Sequence, residues 1–190
     1  MNTLALDLGT KTGWCLRVGT QPLWSGFKDF KNGKFDGAGM RYLKFAGWLE
    51  ELLTLAGGQI DYVCFEAVRN HLGVDAAHAY GGFFATLTFW CEQRKIPYEG
   101  VSVQAIKIAI SGKGNSSKEI VIAEVARLGY KVTDDNEADA ISMMVWALKN
   151  GKAGELDGMS FKRPRSRLKS LLPPKQKRAT PGRPIRRKKT

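Results

Sequence analysis

The sequence predicts an α/β layer fold, a single sheet with helices packed on its faces. Two observations point to this class. Short apolar runs, each stopped by glycine or a charged residue, open the chain, and segments with apolar residues at helical spacing then alternate with further short apolar runs. A third observation is length, because about 150 of the 190 residues suffice to bury one substantial core.

Three strands are predicted at the start of the chain. Residues 3–8 form an apolar run that Gly9 ends, and Asp7 lies at its close. Residues 13–18 and 22–27 give the second and third strands, with a turn at Gly19 between them. Since the connections are short, we expect an antiparallel meander.

The rest of the body alternates helices and strands. Apolar residues at helical spacing predict a helix over 40–55, which Gly57 and Gly58 end. A buried strand over 62–65 follows, and Glu66 closes it. The remaining predicted elements are a helix over 76–94, a strand over 98–103, a short helix over 104–110, a polar loop over 111–117, a helix over 118–128 that Ser117 can cap, and a last helix that begins near 134–137 and continues over 138–149.

Charge divides the chain into two parts. Residues 1–150 carry 16 Lys/Arg and 16 Asp/Glu, whereas residues 151–190 carry 14 Lys/Arg and 2 Asp/Glu. Five of the seven prolines also lie in 151–190, which cannot bury enough apolar surface to offset its ordering entropy. We therefore predict a folded domain over 1–150 and a disordered basic tail over 151–190. The tail indicates a polyanionic partner, most often nucleic acid, although a role in solubility or in binding anionic lipid is the alternative.

Cysteine use and hydropathy indicate a cytoplasmic protein. The three cysteines are odd in number and lie in apolar runs, so we expect reduced core residues and neither disulfides nor a zinc site. We see no signal peptide and no apolar run of 18 residues, so we expect no contact with a membrane.

Three carboxylates carry the functional prediction. Asp7 and Glu66 each end an apolar strand, where a carboxylate is costly unless it is hydrogen-bonded or bound to a cation. Asp139 lies early in a largely apolar helix. Converging carboxylates without cysteine or histidine favour hard cations such as Mg²⁺ or Mn²⁺, and two such ions can support phosphodiester hydrolysis.

Other acids near Asp139 have a structural alternative. Asp135 shares a helical face with Asp139, and Asn136 nearly does. Asp134 or Asp135 can instead cap the helix, with Glu137 completing a capping box. A buried Asp139 bonded to backbone amides is a further alternative.

Five ordered motifs resemble the RuvC family of Holliday-junction resolvases over roughly residues 3–148. They are DLGTKTG at 7–13, FE at 65–66, QAIK at 104–107, GKGNSSK at 112–118 and DNEADA at 135–140. The resemblance implies an RNase-H-like fold with a mixed five-stranded sheet flanked by helices. It also implies a homodimer that places paired nicks across a four-way DNA junction.

The resemblance further implies four acidic ligands around Mg²⁺, of which the last two form an Asp-x-x-Asp pair. Here that pair reads Asn136-x-x-Asp139, so an amide replaces one acid. Asn136 can still offer its carbonyl oxygen, Asp135 can substitute for it, or one ion is held more loosely. Asp7, Glu66 and Asp139 complete the expected ligand set.

Phosphate and DNA contacts are also implied by the resemblance. Lys107 and Lys118 occupy positions where the family places lysines near the scissile phosphate, although both can be ordinary surface lysines. Arg69 and His71 stand where the family often has an aromatic wedge. The expected DNA-binding residues are Arg69, His71, Lys113, Asn115, Ser117 and Lys118.

We therefore predict a Mg²⁺-dependent crossover-junction endodeoxyribonuclease, a phage-type member serving recombination, repair or phage DNA processing. Three alternatives stay open. YqgF-type proteins share the first strand and its turn and are tied to RNA. Sugar-kinase or actin-like ATPases share the Asp-x-Gly-Thr loop but need two such loops in a longer chain. A non-catalytic DNA-binding protein would use only the tail.

Overall fold

The computed structural model describes residues 1–68, 73–132 and 134–154, which build one five-stranded sheet with helices on both faces. The strands are β1 (Thr3–Asp7), β2 (Lys11–Arg17), β3 (Trp24–Asp29), β4 (Tyr62–Glu66) and β5 (Tyr98–Val101). The helices are α1 (Met40–Leu55), α2 (Val74–Arg94), α3 (Val103–Ser111), α4 (Lys118–Arg127) and α5 (Asp135–Lys149).

The sheet is mixed and has the strand order β3-β2-β1-β4-β5. β1, β2 and β3 pair antiparallel, and β4 and β5 continue the sheet parallel to β1. The predicted fold class and the opening meander are both confirmed. In this topology, one edge of the sheet is formed by the last residues of β1, β3, β4 and β5 and by the first residues of β2. We call it the carboxylate edge.

Each face of the sheet has its own core, because successive strand residues point to opposite sides. On β1, Leu4 and Leu6 join the cluster beneath α1 and α2, while Ala5 joins the cluster beneath α5. α5 is the most deeply buried helix and contributes residues such as Ile141 and Met143, both with no exposed surface. This burial holds the start of α5 against the middle of the sheet.

Several element boundaries differ from the sequence prediction. β2 begins at Lys11 and β3 continues to Asp29, because these polar residues pair across the ladder although they break the apolar pattern. The predicted strand over 98–103 is too long. Ser102 is the N-cap of α3, where its hydroxyl accepts a hydrogen bond from the backbone N–H of Ala105 at 3.3 Å.

The chain stays packed against the sheet just beyond α5. The backbone N–H of Lys152 bonds to the carbonyl of Ala147 at 2.8 Å, and Ala153 has no exposed surface. The remainder of the predicted tail, 155–190, lies outside the described residues. The three cysteines are buried and form no disulfide. None of the helices described is long and apolar enough to cross a membrane.

Candidate active site

Asp7 and Glu66 lie together at the carboxylate edge because their strands are parallel neighbours. β1 and β4 pair in register as far as Leu6 opposite Phe65, so the next residue of each strand is an acid. Burial raises the pKa of Asp7 well above its usual range, and the charges of Glu66 and Asp139 raise it further. Asp7 as a residue is half-buried.

Asp139 brings the third carboxylate from α5. Burial raises the pKa of Glu66, and the charge of Asp139 adds to the effect. Burial also raises the pKa of Asp139. The nearby Lys107 and Lys118 lower the pKa of both Glu66 and Asp139 without cancelling the rise. The structure thus brings the three sequence-predicted acids into one group whose charges repel each other.

A close contact between β2 and α5 sets the position of Asp139. Gly13 lies directly opposite Asp7 in the β1–β2 ladder. A Cβ atom at Gly13 would overlap the backbone carbonyl of Asn136, in the first turn of α5. Glycine at this position therefore allows the helix start to lie against the strand beside Asp7.

A cap and an ion pair hold the same helix start. Asp134 is the N-cap of α5, and its carboxylate accepts a hydrogen bond from the backbone N–H of Asn136 at 3.1 Å. Lys11, at the start of β2, forms an ion pair with Asp134. The capping alternative thus holds for Asp134. Glu137 is buried and accepts a hydrogen bond from the hydroxyl of Ser25 on β3 at 2.8 Å.

Both candidates for the fourth ligand already have partners. The side-chain amide of Asn136 donates to Asp134 Oδ1 at 2.8 Å and to Asp135 Oδ1 at 3.4 Å. The other carboxylate oxygen of Asp135 accepts a hydrogen bond from Lys118 Nζ at 2.6 Å. Asp135 is still close enough for its charge to raise the pKa of Asp7 and Asp139. Either residue would have to exchange partners to become a ligand.

Lys118 links the acids to the polar loop before α4. The hydrogen bond to Asp135 raises the pKa of Lys118, and the charges of Asp139 and Asp7 add to the rise. The loop is held by the hydroxyls of Ser111 and Ser116, which lie 2.7 Å apart. Of the sequence-predicted DNA contacts, the loop exposes Lys113, Asn115 and Ser117. Arg69 and His71 lie outside the described residues.

The side-chain hydrogen bonding of Ser117 and Tyr80 could not be predicted from the neighbouring residues in the sequence. Ser117 is the N-cap residue of α4, as predicted, but its side chain makes no capping hydrogen bond. Tyr80 on α2 donates its hydroxyl to the carbonyl of Glu66 at 2.8 Å and accepts from the N–H of Val68 at 3.3 Å. It holds the backbone that follows Glu66. These partners are 14 and 12 residues away, so no local pattern indicated them.

The carboxylate oxygens of Asp7, Glu66 and Asp139 are suitable ligands for a hard cation, but the side chains are not arranged to bind one. Oxygen ligands suit Mg²⁺, and a cation would relieve the repulsion that raises these pKa values. Among the residues that the structure describes, however, no group of three or more Asp, Glu, His or Cys side chains is arranged to hold a metal ion. Ligation would require these side chains to rearrange.

Comparison with known proteins identifies the fold. No protein-family model matches the sequence, and no curated protein matches it. The structure superposes on RuvC from Thermus thermophilus with a TM-score of 0.66 and 20% identity, over 82% of this chain and 100% of that chain. The chain has the RuvC fold. This RNase-H-like architecture is the one that the sequence motifs implied.

Two further structures agree with this result. Thermus thermophilus RuvC in complex with a Holliday junction substrate matches with a TM-score of 0.66 and 20% identity, over 82% of this chain and 99% of that chain. The yeast mitochondrial Holliday junction resolvase Ydc2 matches with a TM-score of 0.51 and 15% identity, over 79% of this chain and 81% of that chain. At these identities the likeness establishes the fold, and function must be argued from the site.

Proposed function

We propose that this protein is a Mg²⁺-dependent endonuclease that resolves four-way DNA junctions and related branched DNA. The observation that carries the proposal is the group of three half-buried carboxylates at the end of a RuvC-type sheet. An isolated structural acid would be expected to have its pKa lowered by hydrogen bonds or ion pairs. Here the pKa values of all three are raised, so the ionised carboxylates are destabilised in the metal-free protein and a bound cation would stabilise them.

Asp7, Glu66 and Asp139 would hold the metal. Two Mg²⁺ ions, or Mn²⁺ in their place, would supply Lewis acidity toward the phosphate and lower the pKa of a water nucleophile. Asn136 or Asp135 would complete the ligand shell. Asp135 is the better candidate by charge, because its carboxylate already acts on Asp7 and Asp139.

Lys107 and Lys118 would act on the substrate phosphate. Both are close enough to lower the pKa of Glu66 and Asp139, so they lie beside the acids. Their ammonium groups would offset the repulsion between the carboxylates and an incoming phosphate. Lys118 would exchange its bond to Asp135 for one to phosphate, which would free Asp135 to bind metal.

The remaining contacts follow the same proposal. Paired nicks require two active sites, so the protein would act as a homodimer. DNA would contact the exposed loop residues and the segment after Glu66, and the basic tail would add salt-sensitive affinity. The assigned DNA contacts are Arg69, His71, Lys113, Asn115, Ser117 and Lys118. The activity would serve recombination, repair or phage DNA processing in the cytoplasm.

Cleavage assays with matched variants test the proposal. Labelled four-way junction, linear duplex and structured RNA are incubated with protein in Mg²⁺, Mn²⁺ or EDTA. We expect junction cleavage with either metal, none in EDTA, and little on duplex. Glu66→Gln should abolish cleavage, while Glu51→Gln, an exposed acid on α1, should leave it unchanged.

Two outcomes would replace the proposal with an alternative. Metal-dependent cleavage of RNA with junctions left intact would favour the YqgF-type activity. Junction binding without cleavage under any metal would favour a non-catalytic DNA-binding protein.

A further inference from the structure

The segment between β3 and α1, residues 30–39, emerges at the carboxylate edge. The last residue of β3, Asp29, pairs with Lys11 at the start of β2. Directly after it, the N–H of Phe30 donates to the carbonyl of Thr10 at 2.7 Å, in the turn that follows Asp7. The sheet topology therefore places this segment, which we call the edge loop, at the same end of the sheet as the three acids.

Hydrogen bonds and one buried ring hold the edge loop in a defined shape. Phe30 is 1% exposed, and its ring packs against the ring of Phe45 at a centroid distance of 5.3 Å. The N–H of Gly33 donates to Asp36 Oδ2 at 2.8 Å, and the Asn32 amide donates to the carbonyl of Gly37 at 3.1 Å. The buried Phe30 ring anchors the start of the loop in the core, and hydrogen bonds within the loop hold the rest of it.

This ordered loop presents an aromatic ring to solvent. Phe35 is 93% exposed, more than any other large hydrophobic residue among those described. Burying a phenylalanine is worth about 1.5–3 kcal/mol, so an ordered loop that leaves one in water gives up that stabilisation in the free protein. A ring held in this way is suited to contact a flat apolar surface, and nucleic-acid bases offer one.

Two lysines lie on the same loop as the ring. Lys34 Nζ lies 5.6 Å from the centre of the Phe35 ring, and Lys31 is exposed on the same loop. The two nearby acids are already engaged, since Asp29 accepts the Lys31 backbone N–H at 2.8 Å and Asp36 pairs with Lys44. The loop therefore offers two lysines beside an exposed aromatic ring.

A second exposed ring with a lysine nearby lies next to the loop. Phe27 on β3 is 46% exposed, and Lys11 Nζ lies 4.3 Å from the centre of its ring. Aromatic rings that bind bases and lysines that bind phosphate are the two components of surfaces for single-stranded or unstacked nucleic acid. Both components occur at the carboxylate edge.

We propose that the edge loop is a DNA contact in which Phe35 stacks on an unstacked base beside the cleavage site, while Lys31 and Lys34 contact the adjacent phosphates. The inference rests on the proposed function, because it places this contact next to the nuclease acids. It adds a recognition element that none of the sequence motifs contains. Bases of a linear duplex are stacked along its whole length, so a contact that needs an unstacked base would favour branched DNA over linear duplex.

Photocrosslinking tests the stacking contact directly. A four-way junction with 5-iodouracil in place of thymine near the branch is bound to wild-type protein in EDTA, irradiated and digested with trypsin. Cleavage after Lys34 and Arg41 releases residues 35–41 as one peptide. We expect the crosslink on Phe35. Crosslinks that map only to other residues would overturn the inference.

Affinity measurements with paired variants provide the second test. Phe35→Ala should weaken junction binding about 5- to 150-fold, the range expected for loss of one stacked base, and weaken duplex binding less. Phe35→Trp should retain wild-type affinity. Because Phe35 is almost fully exposed, neither change should reduce stability. Lys95→Gln, a loss of charge at the opposite edge of the sheet, is the matched control and should leave binding unchanged.

The outcomes separate the two proposals. If wild type cuts junctions and Phe35→Ala binds them equally well, the edge-loop inference fails and the nuclease proposal stands. If wild type cuts nothing but crosslinks to DNA through Phe35, the nuclease proposal fails and the inference stands. Loss of binding to anionic lipid vesicles in Phe35→Ala, without loss of DNA binding, would assign the loop to a membrane surface instead.

Discussion

Replacing Gly13 with alanine is expected to disturb the active site and the fold through one methyl group. The backbone of Gly13 is not in the left-handed region, so alanine adds no backbone strain and its effect is steric. The new Cβ atom would overlap the carbonyl carbon and oxygen of Asn136, which are backbone atoms that cannot rotate away. Restoring a normal separation near 3.5 Å requires β2 and the start of α5 to move apart by about 1.5 Å.

The expected magnitude follows from this displacement. Overpacking of this kind costs about 1–3 kcal/mol, and a contact between two backbones belongs at the upper end. For a domain of about 150 residues, about 3 kcal/mol lowers the Tm by roughly 6–12 °C. The same movement carries Asp139 away from Asp7, and a misplacement of about 1 Å can reduce catalysis about 100-fold.

Thermal unfolding by circular dichroism in EDTA, together with junction cleavage in Mg²⁺, measures both effects. Gly81→Ala is the control, because Gly81 lies within α2 with open space around it. There alanine should stabilise the helix by about 0.5–1 kcal/mol. If Gly13→Ala melts within about 2 °C of wild type and cuts normally, α5 does not depend on this close contact and our account of the site geometry is wrong.

Three further predictions concern charge. Asp7→Asn should stabilise the metal-free protein at pH 7 by about 1 kcal/mol in urea unfolding. The difference in unfolding free energy between Asp7→Asn and wild type should shrink as the pH falls toward 4. The pKa of Asp7 is raised in the folded protein, so folded wild type binds a proton at Asp7 at a higher pH than the unfolded chain does. A difference that stays constant with pH would contradict the repulsion among the acids. Asp134→Ala should lower the free energy of unfolding by about 1–2 kcal/mol, because the helix cap is lost. Asp134→Asn keeps a capping side chain and should cost less than half of that. Equal losses in the two variants would mean that the ion pair with Lys11 dominates. Deleting 155–190 should flatten the salt dependence of DNA binding and leave cleavage intact, so an unchanged slope would remove the tail from binding.

Much of the fold could be read from the sequence, because hydropathy period and turn residues are local properties. The opening meander, the later alternation of helix and strand, and the acids at the ends of β1 and β4 all follow from such patterns. Strand ends were less accurate, as in β2 and β3, because ladder pairing with a neighbouring strand extends a strand into polar residues.

The site itself was only partly accessible from sequence. The positions of Asp7, Glu66 and Asp139 after apolar segments indicated a shared pocket, and the fold brings them within electrostatic reach. The partners of Asn136 and Asp135 could not be foreseen. Whether a polar side chain is available as a ligand depends on which neighbours the fold supplies to it.

The charged residues at the ends of apolar elements, and the order of those elements, can be read from the sequence of this protein. How the elements meet depends on the packing of the folded chain. Gly13 and Asn136 are 123 residues apart in the chain, as are Lys11 and Asp134, yet together they seat α5 beside β1. Such contacts arise when whole elements pack, so their geometry is a property of the assembled core and of no local segment.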